Sequence, residues 1–434
     1  MKNSYYNIYI KNKVNEYIIY NTLNQTLIIV DEERLKKIKD NKFKELDKEE
    51  VQILINNGII VSDECNELNI YIYKRNIAQF NFKKLHILYT ITDACNSNCE
   101  YCFKKNDKPE KIDSEKRKSI RKFIINQAEK NECKEIQIDF FGGEPLVLYK
   151  QVIKDMDFFT DWANNNNIKI KYRFYTNGTI MNNELLEYFK ANRDNIKDLQ
   201  ITLDGTKEIH DKVRPLKNKE SSYDLIMKNL KLLNEENIPV QIRINFNSEN
   251  YTNVGKCLDD LKENKLENIP VYFYAVQAMS SACSKYELAI TDNDTLNVFP
   301  KLWKDAIKRK VNINLKTSPG FVYCSASCKS TFVINYKAEV YKCALLQTDK
   351  KYKIGEISED GNLKYLSNEY FKWMCKNPVN NKKCIKCKLL PVCGGGCGGS
   401  AAEKYGTYMH ENCFDMNMKL FRTKMKLYYK QKFE

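Results

Sequence analysis

Apolar and polar positions alternate along most of the chain in segments of strand length and helix length. Six apolar runs are predicted to be strands: LHILYTI (85–91), EIQIDFF (135–141), IKYRFYT (170–176), DLQITL (198–203), VQIRINF (240–246) and VYFYAV (271–276). Helix-length patterns separate these runs near 114–130, 149–163, 182–191, 222–237 and 251–263. Many of the runs are apolar on both faces, which is typical of a parallel sheet covered by helices.

This alternation predicts an α/β fold in which the sheet closes into a partial, TIM-like (β/α)6 barrel, because the crossovers are short and should be right-handed. In such barrels the chemistry lies on loops that leave the C-terminal ends of the strands. We therefore expect the functional residues in the loops that follow the first strands.

The two ends of the chain have other patterns. Residues 1–80 begin with three strand-like runs, at 6–10, 16–20 and 26–30, followed by helices near 32–39 and 47–57 and a strand at 58–61. This order indicates a winged-helix-like module, and an irregular extension packed on the main domain is the alternative. From about residue 300 onward the chain is rich in cysteines and turns, until an amphipathic helix near 415–431. These changes predict three domains: 1–80, 81–300 and 301–434.

Composition restricts the compartment and the partners. No stretch approaches 18 uninterrupted apolar residues, and the N-terminus lacks the apolar core of a signal peptide, so we expect a cytoplasmic protein without a membrane partner. The net charge of +15 comes from lysines spread along the whole chain, without an arginine-rich arm. We expect a solvated basic surface that can attract an acidic peptide, and no nucleic acid.

The chain contains 16 cysteines but only three histidines, none of them in a metal-ligand spacing. In a reducing compartment, clustered cysteines indicate metal binding or catalysis and not disulfides. The segment ITDACNSNCEYCFKK, directly after the first strand, holds Cys95, Cys99 and Cys102 in a Cys-x3-Cys-x2-Cys spacing. A [4Fe–4S] cluster normally takes four thiolates, so three of them leave one iron open. A zinc site with a distant fourth ligand and unligated core cysteines are the alternatives, and both fit a loop at the catalytic end of a barrel less well.

The following loops carry three more motifs: FFGGEPL after the second strand, YTNG after the third, and ITLDGTKEIHDKVRP, 201–215, at the end of the fourth. Together with the cysteine spacing, this set resembles the radical S-adenosylmethionine (radical SAM) superfamily. The resemblance implies that Cys95, Cys99 and Cys102 bind a [4Fe–4S] cluster whose open iron takes S-adenosylmethionine. Reductive cleavage of that cofactor would give a 5′-deoxyadenosyl radical, which removes a hydrogen atom from a C–H bond.

The resemblance also implies contacts to the cofactor from Tyr101, Gly142, Gly143, Glu144, Asn177, Thr202 and Arg214. Glycines allow close backbone approach to a ligand, and the Glu144 carboxylate can accept from an ammonium group. Arg214 is a permanent cation for the methionine carboxylate, and Thr202 can bond a ribose hydroxyl. Asp204 and His210 are assigned no role beyond shaping their loop.

A second cysteine set lies in the C-terminal region, where KKCIKCKLLPVCGGGC is preceded by further cysteines and followed by one more. It resembles the SPASM domain, an extension of radical SAM enzymes that act on peptides and proteins. The resemblance implies two further [4Fe–4S] clusters, and three in total. The ligands would be Cys324, Cys328, Cys343 and Cys397 for one, and Cys384, Cys387, Cys393 and Cys413 for the other. A zinc ribbon is the alternative, but it would need two CxxC knuckles, and only Cys384/Cys387 is one.

Some positions depart from the family pattern. The x3 spacing of Cys324 and Cys328 is tight, and Ala338 stands where the family has a glycine. Ala344 replaces an aspartate that takes a proton in sulfatase-maturing relatives, which disfavours formylglycine formation. Five cysteines remain outside the clusters: 65, 133, 257, 283 and 375. Most are expected in the core, and Cys283 is a candidate to face the substrate.

These features favour a radical SAM maturase of a ribosomally made precursor peptide, whose leader is bound by residues 1–80 by strand addition. The product would be a thioether or carbon–carbon cross-link, or an epimerised residue. An electron donor such as flavodoxin or ferredoxin would reduce the cluster. The alternatives are a sulfatase-maturating enzyme and a non-catalytic iron–sulfur protein.

Overall fold

The computed structural model describes residues 1–104, 113–277, 287–317, 320–413 and 416–434. The chain forms two compact units, and each is described by itself. The first unit comprises Met1–Phe80, Leu315–Cys324 and Lys376–Glu434, and the second comprises Asn81–Asn314 and Ser325–Cys375. The region predicted as a C-terminal domain is therefore distributed over both units, and the division into three domains remains a prediction.

The N-terminal part of the first unit contains the strands and helices that the sequence pattern predicts. Its strands are β1 (Lys2–Asn3), β2 (Asn7–Lys13), β3 (Glu16–Asn21), β4 (Thr26–Val30) and β5 (Ile60–Val61), and its helices are α1 (Glu32–Lys39), α2 (Lys48–Asn56) and α3 (Glu67–Gln79). Strands β2, β3 and β4 form an antiparallel sheet in that order, and β1 pairs with β5. Strand β4 is therefore an edge strand of the described sheet.

Helix α3 and the two-residue strand β1 are the elements of this part that the pattern did not predict. The helix buries polar side chains, Glu67, Arg75 and Gln79, and exposes apolar ones such as Tyr73 and Ile77. This distribution is the reverse of an ordinary amphipathic surface helix. A search for an apolar stripe facing a core therefore gives no signal here.

The second unit is built on a sheet of nine strands, as far as the described residues go. They are β6 (Lys84–Thr92), β7 (Glu135–Gly142), β8 (Lys169–Thr176), β9 (Ile196–Leu203), β10 (Val240–Phe246), β11 (Val271–Ala275), β12 (Thr331–Asn335), β13 (Glu339–Tyr341) and β14 (Gly355–Glu356). Strands β6 to β11 are parallel and adjacent in sequence order, which confirms the predicted α/β fold with a partial barrel.

Strands β12 to β14 extend this sheet beyond β6 and were not predicted. Strand β12 pairs in parallel with β6, so that Thr331 lies opposite His86, and β13 and β14 continue antiparallel. These strands are five, three and two residues long. Such short segments, separated by turns, carry too few alternating positions for a pattern to indicate them.

Helices cover the outer face of this sheet. They are α4 (Ser114–Lys130), α5 (Tyr149–Asn165), α6 (Asn183–Ala191), α7 (Lys207–Val213), α8 (Ser222–Glu235), α9 (Val254–Glu263), α10 (Asp292–Lys308) and α11 (Asn368–Cys375). Strand side chains such as Ile87, Ile138 and Phe174 are fully buried. The intervening positions are polar, and Arg173 and Asp198 form a two-bond ion pair there at 2.7 and 2.6 Å. The period of two in the strands therefore separates an apolar face from a mostly polar one, which corrects the expectation that many strands are apolar on both faces.

The chain ends in short helices of the first unit. They are α12 (Lys382–Ile385), α13 (Leu390–Cys393), α14 (Gly398–Tyr405) and the longer α15 (Met418–Phe433), close to the helix predicted near 415–431. In the described parts of the chain, no helix has the length and apolar character needed to cross a membrane.

Candidate active site at the C-terminal ends of the parallel strands

The tri-cysteine loop leaves the C-terminal end of β6, as predicted, and is tied to the segment after α7. The Asn98 amide donates to the Pro215 carbonyl at 2.9 Å, and the Glu100 amide to the Val213 carbonyl at 3.1 Å. The Lys217 amide donates back to the Asn96 carbonyl at 2.9 Å. These backbone bonds place the three cysteines beside Arg214, although more than 110 residues separate the two segments.

The glycine pair after β7 packs against the backbone of the same cysteine loop. The Gly143 amide donates to the Thr92 carbonyl, and the Glu144 amide to the Ala94 carbonyl, both at 2.9 Å. A Cβ on Gly142 would lie 2.2 Å from the Thr92 oxygen, and one on Gly143 would lie 2.4 Å from the Ala94 oxygen. Contact between two loops therefore requires glycine at both positions. From the sequence, these two glycines were expected only to let the backbone approach a ligand closely.

Glu144 joins the second and third loops through its carboxylate. The side chain is fully buried and accepts hydrogen bonds from the Asn177 amide (2.6 Å), the Thr176 hydroxyl (2.8 Å) and the Leu146 amide (3.0 Å). Burial raises the pKa of Glu144 to about 6. The three hydrogen-bond donors lower this pKa, but the effect of burial is larger. The described geometry thus gives Glu144 a role in holding the loops together. Its predicted contact with an ammonium group remains a prediction.

Asn177 connects the third loop to the first cysteine. Its side-chain amide donates to the Asn96 carbonyl oxygen Oδ1 at 2.8 Å and lies 4.0 Å from the Cys95 sulfur. Its own Oδ1 accepts from the amide and the hydroxyl of Thr179, at 3.0 and 2.7 Å. The side chain is therefore fixed in orientation beside the cluster loop.

Tyr101 and Arg214 meet in a buried polar cluster that sequence reasoning identified only in part. The Tyr101 hydroxyl lies 2.7 Å from both carboxylate oxygens of Asp204, to which it donates, and it accepts from Arg214 Nη1 and Asn245 Nδ2, each at 2.8 Å. Burial raises the pKa of Tyr101, so the hydroxyl keeps its proton. Asp204 also pairs with Arg214, at 3.4 Å.

Asp204 and Asn245 are thus members of the site that the sequence analysis did not assign. Asp204 follows β9 directly, and Asn245 lies near the C-terminal end of β10, which is the edge where barrel chemistry is expected. Thr202, two residues before Asp204, is buried on β9 opposite Arg243 of β10. The position of polar residues at strand ends was the available signal for all three.

His210 supports this cluster through the backbone of Asp204. Its Nδ1 accepts from the Asp204 amide at 3.2 Å, so the ring carries its proton on Nε2, which is buried without a hydrogen-bond partner among the described residues. Burial lowers the pKa of His210 to about 4. The ring is therefore neutral in the folded protein at neutral pH.

This shift predicts a loss of stability in acid. The unfolded chain binds a proton at His210 below its ordinary pKa of 6.5, whereas the folded chain does so only near 4. Stability should therefore fall by about 3 kcal/mol as the pH drops through this window. His210→Asn keeps an acceptor for the Asp204 amide but does not titrate. Its thermal unfolding midpoint should depend less on pH between 6.5 and 4.5 than that of the wild type, and equal pH dependence would contradict this assignment.

The three loop cysteines have the chemistry of a cluster site. Cys99 is buried, and Cys95 and Cys102 are half-buried. Burial raises the pKa of Cys95 to about 11, and Glu144, Cys99 and Cys102 act in the same direction. Such thiols ionise only if a cation compensates them, as iron does. No group of three or more His, Cys, Asp or Glu side chains in the described residues is arranged to hold a metal ion. In a [4Fe–4S] cluster each thiolate binds a different iron, so closer convergence is not required.

The second predicted set of auxiliary ligands lies wholly in the first unit. Burial raises the pKa of Cys384 to about 11, and Cys413, Glu411 and Cys387 add to this effect. Cys393 ends α13, and the glycines after it pack closely: a Cβ on Gly396 would lie 1.8 Å from the Asn412 carbonyl oxygen, next to Cys413. The donor chemistry thus fits an iron–sulfur cluster.

The other predicted set is divided between the units. Cys324 and Cys397 belong to the first unit, and Cys328 and Cys343 to the second, so their joint ligation remains a prediction. Ala338, in the turn between β12 and β13, has φ +63°. This left-handed conformation favours glycine, the residue that the family pattern has there.

The remaining cysteines differ in burial. Cys133 and Cys257 are buried, as expected for core residues, and Cys65 is half-buried. Cys375 is exposed, so it is not a core residue. Cys283 lies outside the described residues.

Comparisons with known proteins find relatives in sequence and in fold. Residues 89–261 match the family model of the radical SAM superfamily. A cysteine-type anaerobic sulfatase-maturating enzyme of Clostridium novyi is 28% identical over 75% of this chain and 91% of its own length. The radical SAM cyclopropyl synthase TigE of Paramaledivibacter caminithermalis is 23% identical over 88% of this chain and 84% of its own length. The structure of Streptococcus suis SuiB bound to its precursor peptide SuiA covers 94% of this chain and 98% of its own, with a TM-score of 0.55 and 16% identity.

Proposed function

We propose that this chain, an enzyme of the radical SAM superfamily through its residues 89–261, modifies a ribosomally made precursor peptide by forming a thioether or carbon–carbon cross-link. The family's cofactors are a [4Fe–4S] cluster and S-adenosylmethionine, and together they supply a 5′-deoxyadenosyl radical that removes a hydrogen atom from the substrate. The observation that carries the choice of a peptide substrate is the surface of residues 1–80, described below.

The chain's own residues have distinct roles in this proposal. Cys95, Cys99 and Cys102 hold the cluster, and the glycine pair fixes their loop. Arg214, held by Tyr101 and Asp204, keeps a positive charge in a site with little access for water. A fixed cation in a dry site binds the carboxylate of an amino acid more strongly than one on the surface. Excluding water also protects a reactive radical from quenching.

An apolar stripe on α3 provides a surface for the leader of the precursor. Ile70, Tyr73, Ile77 and Phe80 are 37%, 67%, 53% and 42% exposed, and their spacing places them on one side of the helix. Contiguous exposed apolar side chains of this kind mark interaction sites.

The stripe lies on a helix that is tied to the edge strand β4. Lys74 of α3 reaches Asn24, in the turn that leads into β4, with 3.4 Å between Nζ and Oδ1. In the proposal, the leader pairs with the backbone of β4 and packs its apolar side chains on α3. Strand addition gives affinity through the backbone, and the stripe gives selectivity through side chains.

The double substitution Tyr73→Asp and Ile77→Asp should therefore abolish leader binding. Each removes an apolar anchor worth about 1.5–3 kcal/mol when covered, so the dissociation constant should rise on the order of 100-fold or more. The measurement is fluorescence anisotropy of a labelled leader segment, taken from whichever short precursor peptide the neighbouring reading frames encode. The matched control is Val14→Asp, in the turn between β2 and β3, because Val14 is 92% exposed and lies outside the stripe. Equal affinity in the double variant and the control would contradict this leader site.

The reaction is tested on the same peptide. In a thioether cross-link, a C–H and an S–H bond break and a C–S bond forms. One hydrogen atom ends in 5′-deoxyadenosine, and the other leaves as a proton and an electron, for which a bound auxiliary cluster would be the acceptor. The proposal includes the two auxiliary clusters. It also includes a flavodoxin or ferredoxin as the electron donor that reduces the cluster at Cys95, Cys99 and Cys102. Mass spectrometry of the peptide after incubation with reconstituted enzyme and S-adenosylmethionine should show a loss of two hydrogens, whereas an unchanged mass would indicate epimerisation or no reaction.

Sulfatase maturation is the second candidate, because a relative with that activity shares 28% identity. Ala344 counts against it, since no carboxylate stands beside Cys343 at that position to take a proton. Incubating the enzyme with a sulfatase peptide and assaying for formylglycine distinguishes the two. If the enzyme forms formylglycine on the sulfatase peptide and does not modify the precursor peptide, sulfatase maturation replaces the proposed function.

A further inference from the structure

Lys376 is a buried cation that has no carboxylate partner among the described residues. The residue is 8% exposed, and its ammonium group donates to two backbone carbonyls, of Tyr408 at 2.5 Å and of His410 at 3.3 Å. Glu411 lines the same cavity but pairs with Lys383, at 3.4 Å. Within the described residues, no carboxylate forms an ion pair with Lys376. Burying a charge without an ion-pair partner is expensive, and an anion close to Lys376 would offset that cost.

Burial lowers the pKa of the Lys376 ammonium group. The cysteines Cys397, Cys384 and Cys324 act against this shift, whereas Arg75 adds to it. Lys376 and Cys384 also line a common cavity of about 360 Å³ in the first unit. Neutral thiols would not compensate a buried ammonium group, whereas thiolates bound to iron carry net negative charge.

A second buried cation fixes the position of Lys376. Arg75 of α3 is 3% exposed and donates from Nη2 to the Lys376 carbonyl and from Nη1 to Gln79, at 2.7 Å. The main chain at Lys376 is therefore anchored, and two carbonyls hold its ammonium group at the other end. This arrangement keeps the charge beside the cavity that Cys384 also lines and largely away from solvent.

We propose that Lys376 is the internal counter-cation of the auxiliary clusters and raises their reduction potentials. The proposal rests on the auxiliary clusters assigned under the proposed function. A reduced cluster carries one more negative charge than an oxidised one. A fixed positive charge in a medium of low dielectric constant therefore stabilises the reduced form more. Lys376 acts through the clusters and does not touch the substrate. Its role is to hold a positive charge in a fixed position beside them.

The test is a redox titration, followed by electron paramagnetic resonance, of the full chain carrying Cys95→Ala, Cys99→Ala and Cys102→Ala. Only the auxiliary clusters then titrate. Lys376→Met should shift a midpoint potential to more negative values, and Lys376→Arg, which keeps the charge, should not. The matched control is Lys383→Met, because Lys383 also interacts with an auxiliary cysteine, Cys413, but its side chain is 71% exposed. Solvent screens an exposed charge, so its removal should have a much smaller effect.

Equal potentials in Lys376→Met and Lys383→Met would overturn the proposal. If Lys376→Met loses auxiliary iron, the iron content of Lys376→Arg distinguishes two explanations. Iron that is retained in the arginine variant supports a need for the charge. Iron that is lost from both variants indicates a packing role and overturns the proposal. Failure of the proposed function is seen separately. If the iron content of the unsubstituted chain accounts for only one cluster, there are no auxiliary clusters and the premise of this proposal fails. The mass of the peptide product tests the proposed function and does not depend on the redox titration.

Discussion

Cys99→Ala should abolish formation of 5′-deoxyadenosine and remove about a third of the protein's iron, because one of three clusters is lost. Cys99 is the most buried cysteine of its loop and lies 3.4 Å from the Ser97 hydroxyl. Two remaining thiolates do not hold a cluster of the kind that binds S-adenosylmethionine. The measurements are the iron content of anaerobically reconstituted protein and 5′-deoxyadenosine by chromatography after reduction with dithionite.

The control for this variant is Cys65→Ala. Cys65 is half-buried and outside all three predicted ligand sets, so its replacement should change neither iron content nor 5′-deoxyadenosine formation. The auxiliary iron of Cys99→Ala should also remain, since its predicted ligands lie elsewhere in the chain. If Cys99→Ala still cleaved S-adenosylmethionine at the rate of the unsubstituted chain, the assignment of the tri-cysteine loop would be wrong.

Gly143→Ala should lower 5′-deoxyadenosine formation on the order of 100-fold, the effect of displacing a reacting centre by about 1 Å. The added Cβ would lie 2.4 Å from the Ala94 carbonyl oxygen and 2.5 Å from that of Asp93. These are backbone atoms of the cysteine loop, so they cannot turn aside as a flexible side chain would. The loop must move, and the position of the cluster moves with it.

Gly255→Ala on α9 is the matched control. There the added Cβ meets the end of the Arg309 side chain at 3.0 Å, a flexible group that can shift, and alanine favours a helix. This variant should keep its activity. Circular dichroism and the thermal midpoint of both variants show whether the chain still folds. Full activity in Gly143→Ala would show that the contact between the two loops does not position the cluster.

The barrel strands were predictable because their signal is local. In β6 to β10 apolar residues such as Ile87 and Phe174 occupy fully buried positions, and helix-length patterns separate the strands. Of the elements that were missed, α10 is a helix of 17 residues that the pattern analysis passed over, whereas α3 and β12 to β14 lack this signal. Helix α3 buries Arg75 and exposes Tyr73, and β12 to β14 are too short to show a period.

The residues of the candidate site likewise fall into those that were predictable from the sequence and those that were not. Cysteines that share one loop are recognised by their spacing, because the chain itself fixes how far apart they can lie. Asp204 and Asn245 are marked in the sequence only as polar residues near strand ends, and they belong to the site because β9 and β10 end side by side near Tyr101.

The amino-acid sequence by itself therefore determined the order of the barrel strands, the spacing of the thiols and the loops that carry the motifs, since each depends on residues close together in the chain. The tertiary structure alone decided which loops touch and where each buried charge finds its partner. Glu144 meets Asn177, and Lys376 meets the Tyr408 carbonyl and Arg75, through contacts between segments that are distant in sequence. Burial sets the energy of such contacts, and burial is a property of the folded chain.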